Sequence, residues 1–192
     1  MKKTYNVMLA AAIMSIFAIG IAYAALSTTL TITTNKVTQN ALTWNVALVT
    51  GTLTPSAAGT SATGRTCGNA TATASAITVA DTTLSKPGDK CTYTFQVKNS
   101  GGIAASLGSI TPTAPSSTTC GTLTGGTMVC GNITYKVTTD SAGGTTVTSS
   151  NTSVAAGATK TLYLVVSYTG TTVNSSAVTQ SGGKFTMVFN QA

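Results

Sequence analysis

The stretch that decides the fold is Cys91-Thr92-Tyr93-Thr94-Phe95-Gln96-Val97. Its apolar and aromatic side chains occupy every second position, which is the period of a β-strand with one buried face. Thr, Tyr, Phe and Val are also residues that favour strands. A Pro-Gly turn at 87–88 precedes the stretch, and Asn99-Ser100-Gly101-Gly102 marks a turn after it. We therefore predict a half-buried strand between two turns.

The same alternation recurs in short segments that are separated by Gly, Ser, Asn and Pro. These segments are 26–33, 42–49, 74–80, 103–110, 127–138, 159–168 and 184–190. No helical period appears after residue 24. The predicted fold class is all-β, a two-sheet β-sandwich of the jelly-roll or immunoglobulin-like type.

Three details of this prediction can be checked against the structure. Residues 51–66 have no apolar period and are predicted to form a long loop. The segment 127–138 changes phase at Gly131-Asn132, as a bulge or bend within one strand would require. Trp44 alternates with the apolar residues of 42–49 and is predicted to lie in the core.

The N-terminus has the pattern of a secretory signal peptide. A basic start, Met1-Lys2-Lys3, is followed by an uncharged apolar segment and by the small-x-small site Ala22-Tyr23-Ala24. We predict a signal peptide over residues 1–24, cleavage after Ala24, and a single β-sandwich domain over residues 25–192. The expected location is secreted, extracellular or at the cell surface, with membrane contact only through the signal segment before cleavage. The alternative is a retained membrane helix, because about 20 apolar residues can span a bilayer.

The four cysteines agree with export. An even number of cysteines in an exported chain is typical of disulfides, and two bonds can be made in three ways. We favour Cys120–Cys130, which would close one Gly-rich turn, and Cys67–Cys91 then follows. The rival is a zinc site, which needs short paired spacings such as C-x2-C that this chain lacks.

Composition argues against most enzyme classes. The chain has 192 residues, no His, and only three acids, against ten Lys and Arg, for a net charge of +7. Without His, the Ser-His-Asp and Cys-His mechanisms and His-based zinc sites are excluded. The acids, Asp81, Asp89 and Asp140, are scattered, which disfavours a calcium site or a paired-carboxylate hydrolase. We expect no enzymatic activity, no metal and no cofactor.

The basic residues predict no nucleic-acid partner. Apart from Lys2-Lys3 they occur singly, whereas nucleic-acid sites cluster them. Asn-x-Ser/Thr triplets, the pattern of N-glycan acceptors, begin at Asn69, Asn132, Asn151 and Asn174, which we treat as glycosylation candidates.

The first segment after the cleavage site suggests a role in assembly. Residues 25–34 begin at the new N-terminus and alternate with a clear apolar side. Such a strand either completes its own domain or docks into a neighbouring copy, where alternate side chains fill a groove. The donor-strand residues would be Ala25, Leu26, Thr28, Leu30 and Ile32. This contact is head-to-tail, so the partners would be copies of the chain itself in a polymer.

Several blocks of the chain resemble TasA/camelysin-like secreted proteins. They are the start 22–32 with Leu42-Thr43-Trp44-Asn45-Val46, the block from Leu84-Ser85-Lys86-Pro87-Gly88-Asp89-Lys90 to Gly101, and the ending 185–192. The resemblance implies a jelly-roll domain in biofilm-matrix or surface fibres that assemble by N-terminal strand donation. Camelysins have also been described as metalloproteases. Without His or Glu, this chain has no plausible ligands for such a zinc site, so that activity is not carried over.

Three functions compete at this point. The first is a structural subunit of an extracellular filament, such as a pilus or biofilm-matrix fibre, held by donor-strand complementation. The second is a pilin-type filament subunit that retains its apolar helix. The third is a monomeric secreted Ig-like adhesin or binding module, for which Trp44, the Tyr and the Phe residues are the available stacking groups.

Overall fold

The structure, a computed structural model, describes residues 43–59, 64–79, 81–115, 119–173, 178–180 and 183–192. The chain divides into two units, Met1–Ala41 and Leu42–Ala192, and every described residue belongs to the second. The predicted signal peptide, the donor strand with Ala25, Leu26, Thr28, Leu30 and Ile32, and the glycosylation candidate Asn174 lie outside the described residues.

The described residues form sixteen strands and no helix. The strands are β1 Val46–Leu48, β2 Gly51–Leu53, β3 Pro55–Ala58, β4 Thr66–Cys67, β5 Ala70–Ala72, β6 Ala76–Val79, β7 Thr82–Leu84, β8 Lys90–Asn99, β9 Ala105–Thr113, β10 Cys120–Thr124, β11 Thr127–Cys130, β12 Ile133–Thr138, β13 Ser153–Val154, β14 Thr159–Tyr168, β15 Val178–Gln180 and β16 Lys184–Gln191. All the strand pairs are antiparallel.

The larger sheet has seven strands and is organised around β8 and β14. Its order is β1-β8-β14-β12-β11-β10, and β3 pairs with β8 on the same side as β1. The two central strands pair over nine residues, with Phe95 opposite Leu162 and Tyr93 opposite Leu164. These side chains are buried, as the period-2 pattern of 91–97 predicts.

The second sheet has six strands in the order β13-β9-β16-β6-β5-β2. Its longest pairing joins β9 to β16 over the whole of both strands, with a register shift between Val188 and Phe189. Phe185 and Met187 point into the core from this sheet, and Tyr93, Phe95, Tyr135 and Leu164 do so from the first. The predicted all-β sandwich of two antiparallel sheets is therefore confirmed.

A third, small sheet consists of β15, β7 and β4. Buried polar side chains connect it to the larger sheet. The Tyr135 hydroxyl donates to Gln180 Oε1 at 2.8 Å, and Gln180 Nε2 donates to the Cys130 carbonyl at 3.0 Å. The Tyr93 hydroxyl donates to the Gly68 carbonyl at 2.7 Å and also bonds the Thr82 hydroxyl. These bonds satisfy groups that would be costly to bury alone.

The prediction of one long loop over 51–66 was wrong. Residues in this range form β2, β3 and the start of β4, and the first two pair with β5 and β8 respectively. The chain crosses from the larger sheet to the second and back within a few residues. No strand is long enough here to show a period of two.

Two further details also differ from expectation. Residues 127–138 form a hairpin of β11 and β12, because Gly131 takes a positive φ of 58° and Gly131-Asn132 is a turn rather than a bulge. Trp44 is 38% exposed. The first strand begins at Val46, so Trp44 lies beyond the sheet, where Thr43 and Asn45 bond to the turn at Ser100–Gly102.

Candidate functional site

The cysteines pair as Cys67–Cys91 and Cys120–Cys130, the connectivity favoured from sequence. The first bond ties β4 of the small sheet to β8, and the second ties β10 to β11. The described residues include no free cysteine. Two disulfides are typical of an oxidising, extracellular environment.

Two of the three carboxylates hold turns. Asp89 is fully buried, accepts the N–H groups of Ser85 and Lys86 at 3.0 Å each, and lies 3.8 Å from the Arg65 guanidinium. Asp140 accepts the N–H groups of Gly144 and Thr145 at 3.0 and 2.6 Å, and these bonds lower the pKa of its carboxyl. Asp81 is exposed just before β7. Within the described ranges, no group of three His, Cys, Asp or Glu side chains could hold a metal ion.

The described glycosylation candidates differ in the hydrogen bonds that their side-chain amides make. Asn69 is exposed between β4 and β5. Asn132 Nδ2 donates to the Tyr168 hydroxyl at 3.0 Å. Asn151 Nδ2 donates to the Thr146 carbonyl at 2.9 Å, and its Oδ1 accepts the Thr148 N–H at 2.7 Å. A glycan on either of the last two would compete with these bonds, so Asn69 is the most available position.

One side of the sandwich is open where the edges of the two sheets meet. On its free side β9 pairs with β13 only at Ala105 and Ser106, and the Leu107 N–H donates to the Thr152 carbonyl at 2.8 Å. No strand among the described residues pairs with 108–113 on that side. In the same way β10 is the last strand of the larger sheet, with β11 as its one described neighbour.

The outer edges of β9 and β10 lie near each other. Cα atoms of β9 and β10 approach within 8 Å, yet no ladder joins them. We call this open side the seam and define it by residues 107–113 and 121–125.

The seam contains a groove of about 340 Å³. Its lining residues are Leu107, Gly108, Ser109, Ile110, Gly125, Val147, Thr148 and Ser149. None of them is charged. An uncharged groove with apolar side chains beside unpaired backbone suits an extended apolar segment.

A bulge at Gly108 explains why Leu107 and Ile110, which are three positions apart in β9, both line this groove. Leu107 pairs with Phe189 and Ser109 with Val188, so Gly108 has no opposite residue in β16. The extra residue changes the phase of the strand, and Leu107 and Ile110 therefore both point inward. A Cβ at this position would meet the Asn190 side chain, so a larger residue would require that side chain to move.

Side chains at the seam face inward but remain partly uncovered. Leu123 of β10 lies opposite Met128, and opposite residues of an antiparallel pair share a face. Met128 is fully buried, whereas Leu123 is 46% exposed. Ile110 is likewise half-buried, although its neighbour Met187 is buried. The core of the described residues is thus incomplete along the seam.

Sequence reasoning did not find the seam. The donor segment has a visible alternating pattern, but in β10 only Cys120 and Leu123 are apolar, and residues 121–126 are predicted from sequence as a Gly-rich turn. Whether a strand lies at the edge of a sheet depends on which other strands pair with it, and no local sequence pattern indicates this.

Comparison with protein-family models, with curated proteins and with solved structures gives no match to this chain. Among the residues that the structure describes, there is no helix with the length and hydrophobicity of a membrane span.

Proposed function

We propose that the chain is a non-enzymatic structural subunit of an extracellular filament, exported by its signal peptide and polymerised by donation of residues 25–34 to a neighbouring copy. The observation that supports this proposal is the seam, where the described sandwich has unpaired strand edges and inward-facing side chains without full cover. The disulfides agree with the expected extracellular location.

Donor and acceptor are chemically matched. The segment 25–34 offers Leu26, Leu30 and Ile32 on one face, and its other face is Ser and Thr. A strand of this kind gains main-chain hydrogen bonds along an edge and buries alternate side chains. Each Leu or Ile that becomes buried contributes about 1.5–3 kcal/mol, so three of them can hold two subunits together. Each copy donates one strand and accepts one, so the same contact repeats from copy to copy and builds a polymer.

The test compares two triple variants of the secreted mature chain. Replacing Leu26, Leu30 and Ile32 by Ser should abolish filaments, because the apolar side of the donor is lost. The matched control, Ser27→Thr with Thr29→Ser and Thr31→Ser, changes the opposite face conservatively and should leave filaments intact. Negative-stain electron microscopy and sedimentation measure assembly, and deletion of residues 25–34 should have the same effect as the first variant.

Sequencing of the N-terminus on the same samples separates the competing functions. Filaments of chains that begin at Ala25 support strand donation, and chains that keep the apolar segment before Ala24 indicate a pilin-type subunit. If the chain without 25–34 still forms filaments, strand donation is wrong. If chains beginning at Ala25 remain monomeric under all conditions, the filament function itself is wrong.

A further inference from the structure

We infer that the acceptor for the donated strand is the seam, in which residues 25–34 of a second copy pair with the open edge of β9 and lie against β10. This assignment deepens the proposed function and rests on it. The occupant is named from the chain itself, because the residues before Thr43 contain one apolar, alternating, strand-like segment directly after the predicted cleavage site.

The other strand edges in the described part of the chain suit a donated strand less well. The outer strands β1, β2, β4, β13 and β15 have only two or three residues. The outer strand β3 has four, and its first residue, Pro55, has no N–H. A second depression, of about 320 Å³, lies between residues 49–53 and 94–96. There β8 already has β1 and β3 on one side and β14 on the other, so no strand can be added along it.

The seam includes β10, which at five residues is the longest outer strand in the described part of the chain. Residues 108–111 of β9 and 121–124 of β10 have no described strand beside them on the side of the seam. Pro112 of β9 has no N–H, which limits pairing beyond 111. A strand added to β9 there would cover Leu123 and Ile110, the side chains that face inward but are only partly buried.

The bulge sets the position of the apolar side chains. Leu107 and Ile110 both face inward and line the groove together with Val147. We expect one of the three donor residues Leu26, Leu30 and Ile32 to occupy this space and another to contact Leu123.

A photo-crosslinking experiment on the full chain tests the assignment. A benzophenone amino acid is placed at Ser149, in the groove wall, and in a matched control at Thr161, which is exposed on β14 away from the seam. Filaments are assembled from an equal mixture of chains with normal and heavy nitrogen, irradiated and digested. Mass spectrometry should find crosslinks from position 149 to residues 25–34 of the other isotopic form, at least about tenfold more abundant than from position 161.

Other crosslinking results would overturn the inference in distinguishable ways. Filaments without crosslinks from 149 to 25–34 would refute this acceptor while leaving the filament function in place. Crosslinks found only between peptides of the same isotopic form would mean that each chain fills its own seam. The absence of filaments from the unmodified chain would refute the proposed function and the assignment together.

A pair of charge substitutions gives a second, independent readout. Leu123→Asp places a charge on the inward face of β10, and Thr122→Asp places the same charge on the adjacent, exposed, outward-facing position. We expect Leu123→Asp to reduce the extent of assembly at least tenfold and Thr122→Asp to change it less than twofold. Circular dichroism and thiol titration check that both variants fold and keep their disulfides. Equal assembly by the two folded variants would contradict the assignment.

Discussion

At the scale of single residues, buried polar side chains hold the parts of the sandwich together. Asn99 is fully buried, and its Nδ2 donates to the carbonyls of Ile103 and Val154 at 2.8 and 3.1 Å, while Oδ1 accepts the Gly101 N–H at 3.0 Å. One side chain thus joins β8 of the larger sheet to β13 of the second. Buried groups satisfied in this way specify one arrangement, because any shift leaves donors or acceptors unpaired.

Tyr135→Phe should destabilise the protein by about 1–3 kcal/mol. The substitution keeps the ring but removes the hydroxyl that donates to Gln180 Oε1, and Gln180 is 2% exposed. The amide oxygen would then be buried without this donor. Urea unfolding followed by fluorescence measures the change.

The control for this substitution is Tyr163→Phe, at a half-buried position on β14. We expect the control to change the free energy of unfolding by less than about 0.5 kcal/mol. If the two variants unfold at the same urea concentration, the hydrogen bond between Tyr135 and Gln180 does not stabilise the fold.

At the scale of elements, the disulfides secure strands that are too short to be stable by pairing alone. The sequence separation between the cysteines is 24 for Cys67–Cys91 and 10 for Cys120–Cys130. A crosslink over loops of these lengths reduces the entropy of the unfolded chain, a contribution of about 3 kcal/mol for each bond. The two bonds act on different parts of the molecule, so their removal should be distinguishable.

Replacing Cys67 and Cys91 together by Ala should lower the free energy of unfolding by about 3 kcal/mol. Because β4 has two residues, the substitution should also speed amide hydrogen exchange in β4, β7 and β15. The matched control replaces Cys120 and Cys130 by Ala, which should cost a similar amount but speed exchange in β10 and β11. Unchanged protection of the small sheet in the first variant would show that its hydrogen bonds alone retain it.

At the scale of the whole molecule, the stability should fall in alkali. Burial raises the pKa of Tyr135 well above its ordinary value of 10.0, and Tyr93 nearby raises it further. Burial also raises the pKa of Tyr93, and the hydrogen bond with Thr82 partly opposes this. Since the folded pKa values exceed the unfolded value, the folded state retains its protons longer. The stability from these groups is complete below pH 10 and is lost as the pH rises from there towards the folded pKa values.

We therefore expect the free energy of unfolding to decline above pH 10. Each of the two tyrosines contributes a slope of up to about 1.4 kcal/mol per pH unit. The Tyr135→Phe variant should show a shallower decline than the native protein, although it starts from a lower stability. Urea unfolding at several pH values between 8 and about 11.5 compares the slopes, which separates this effect from the titration of lysines common to both proteins. If the free energy of unfolding declines with the same slope in both proteins, Tyr135 does not ionise on unfolding in this pH range.

Long strands could be predicted from the sequence, and short ones could not. The segments 91–97, 159–168 and 184–190 each contain several alternating positions, and each lies in a strand of eight to ten residues. Strands of two or three residues, such as β2 and β13, contain too few positions to show a period. These short strands take their conformation from the neighbours with which they pair. Long-range pairing also decides the exposure of Trp44, because the sheet ends at Val46 and does not reach residue 44.

The sequence by itself determined the all-β class and two disulfides, because alternation of apolar side chains and an even count of cysteines are local and compositional properties. Only the tertiary structure decided which strands are neighbours and where the sandwich stays open. The seam arises because β9 and β10, from different sheets, lie side by side without a ladder and leave Leu123 46% exposed. Every residue except proline carries the same backbone hydrogen-bonding groups, so whether an edge is paired depends mainly on long-range packing.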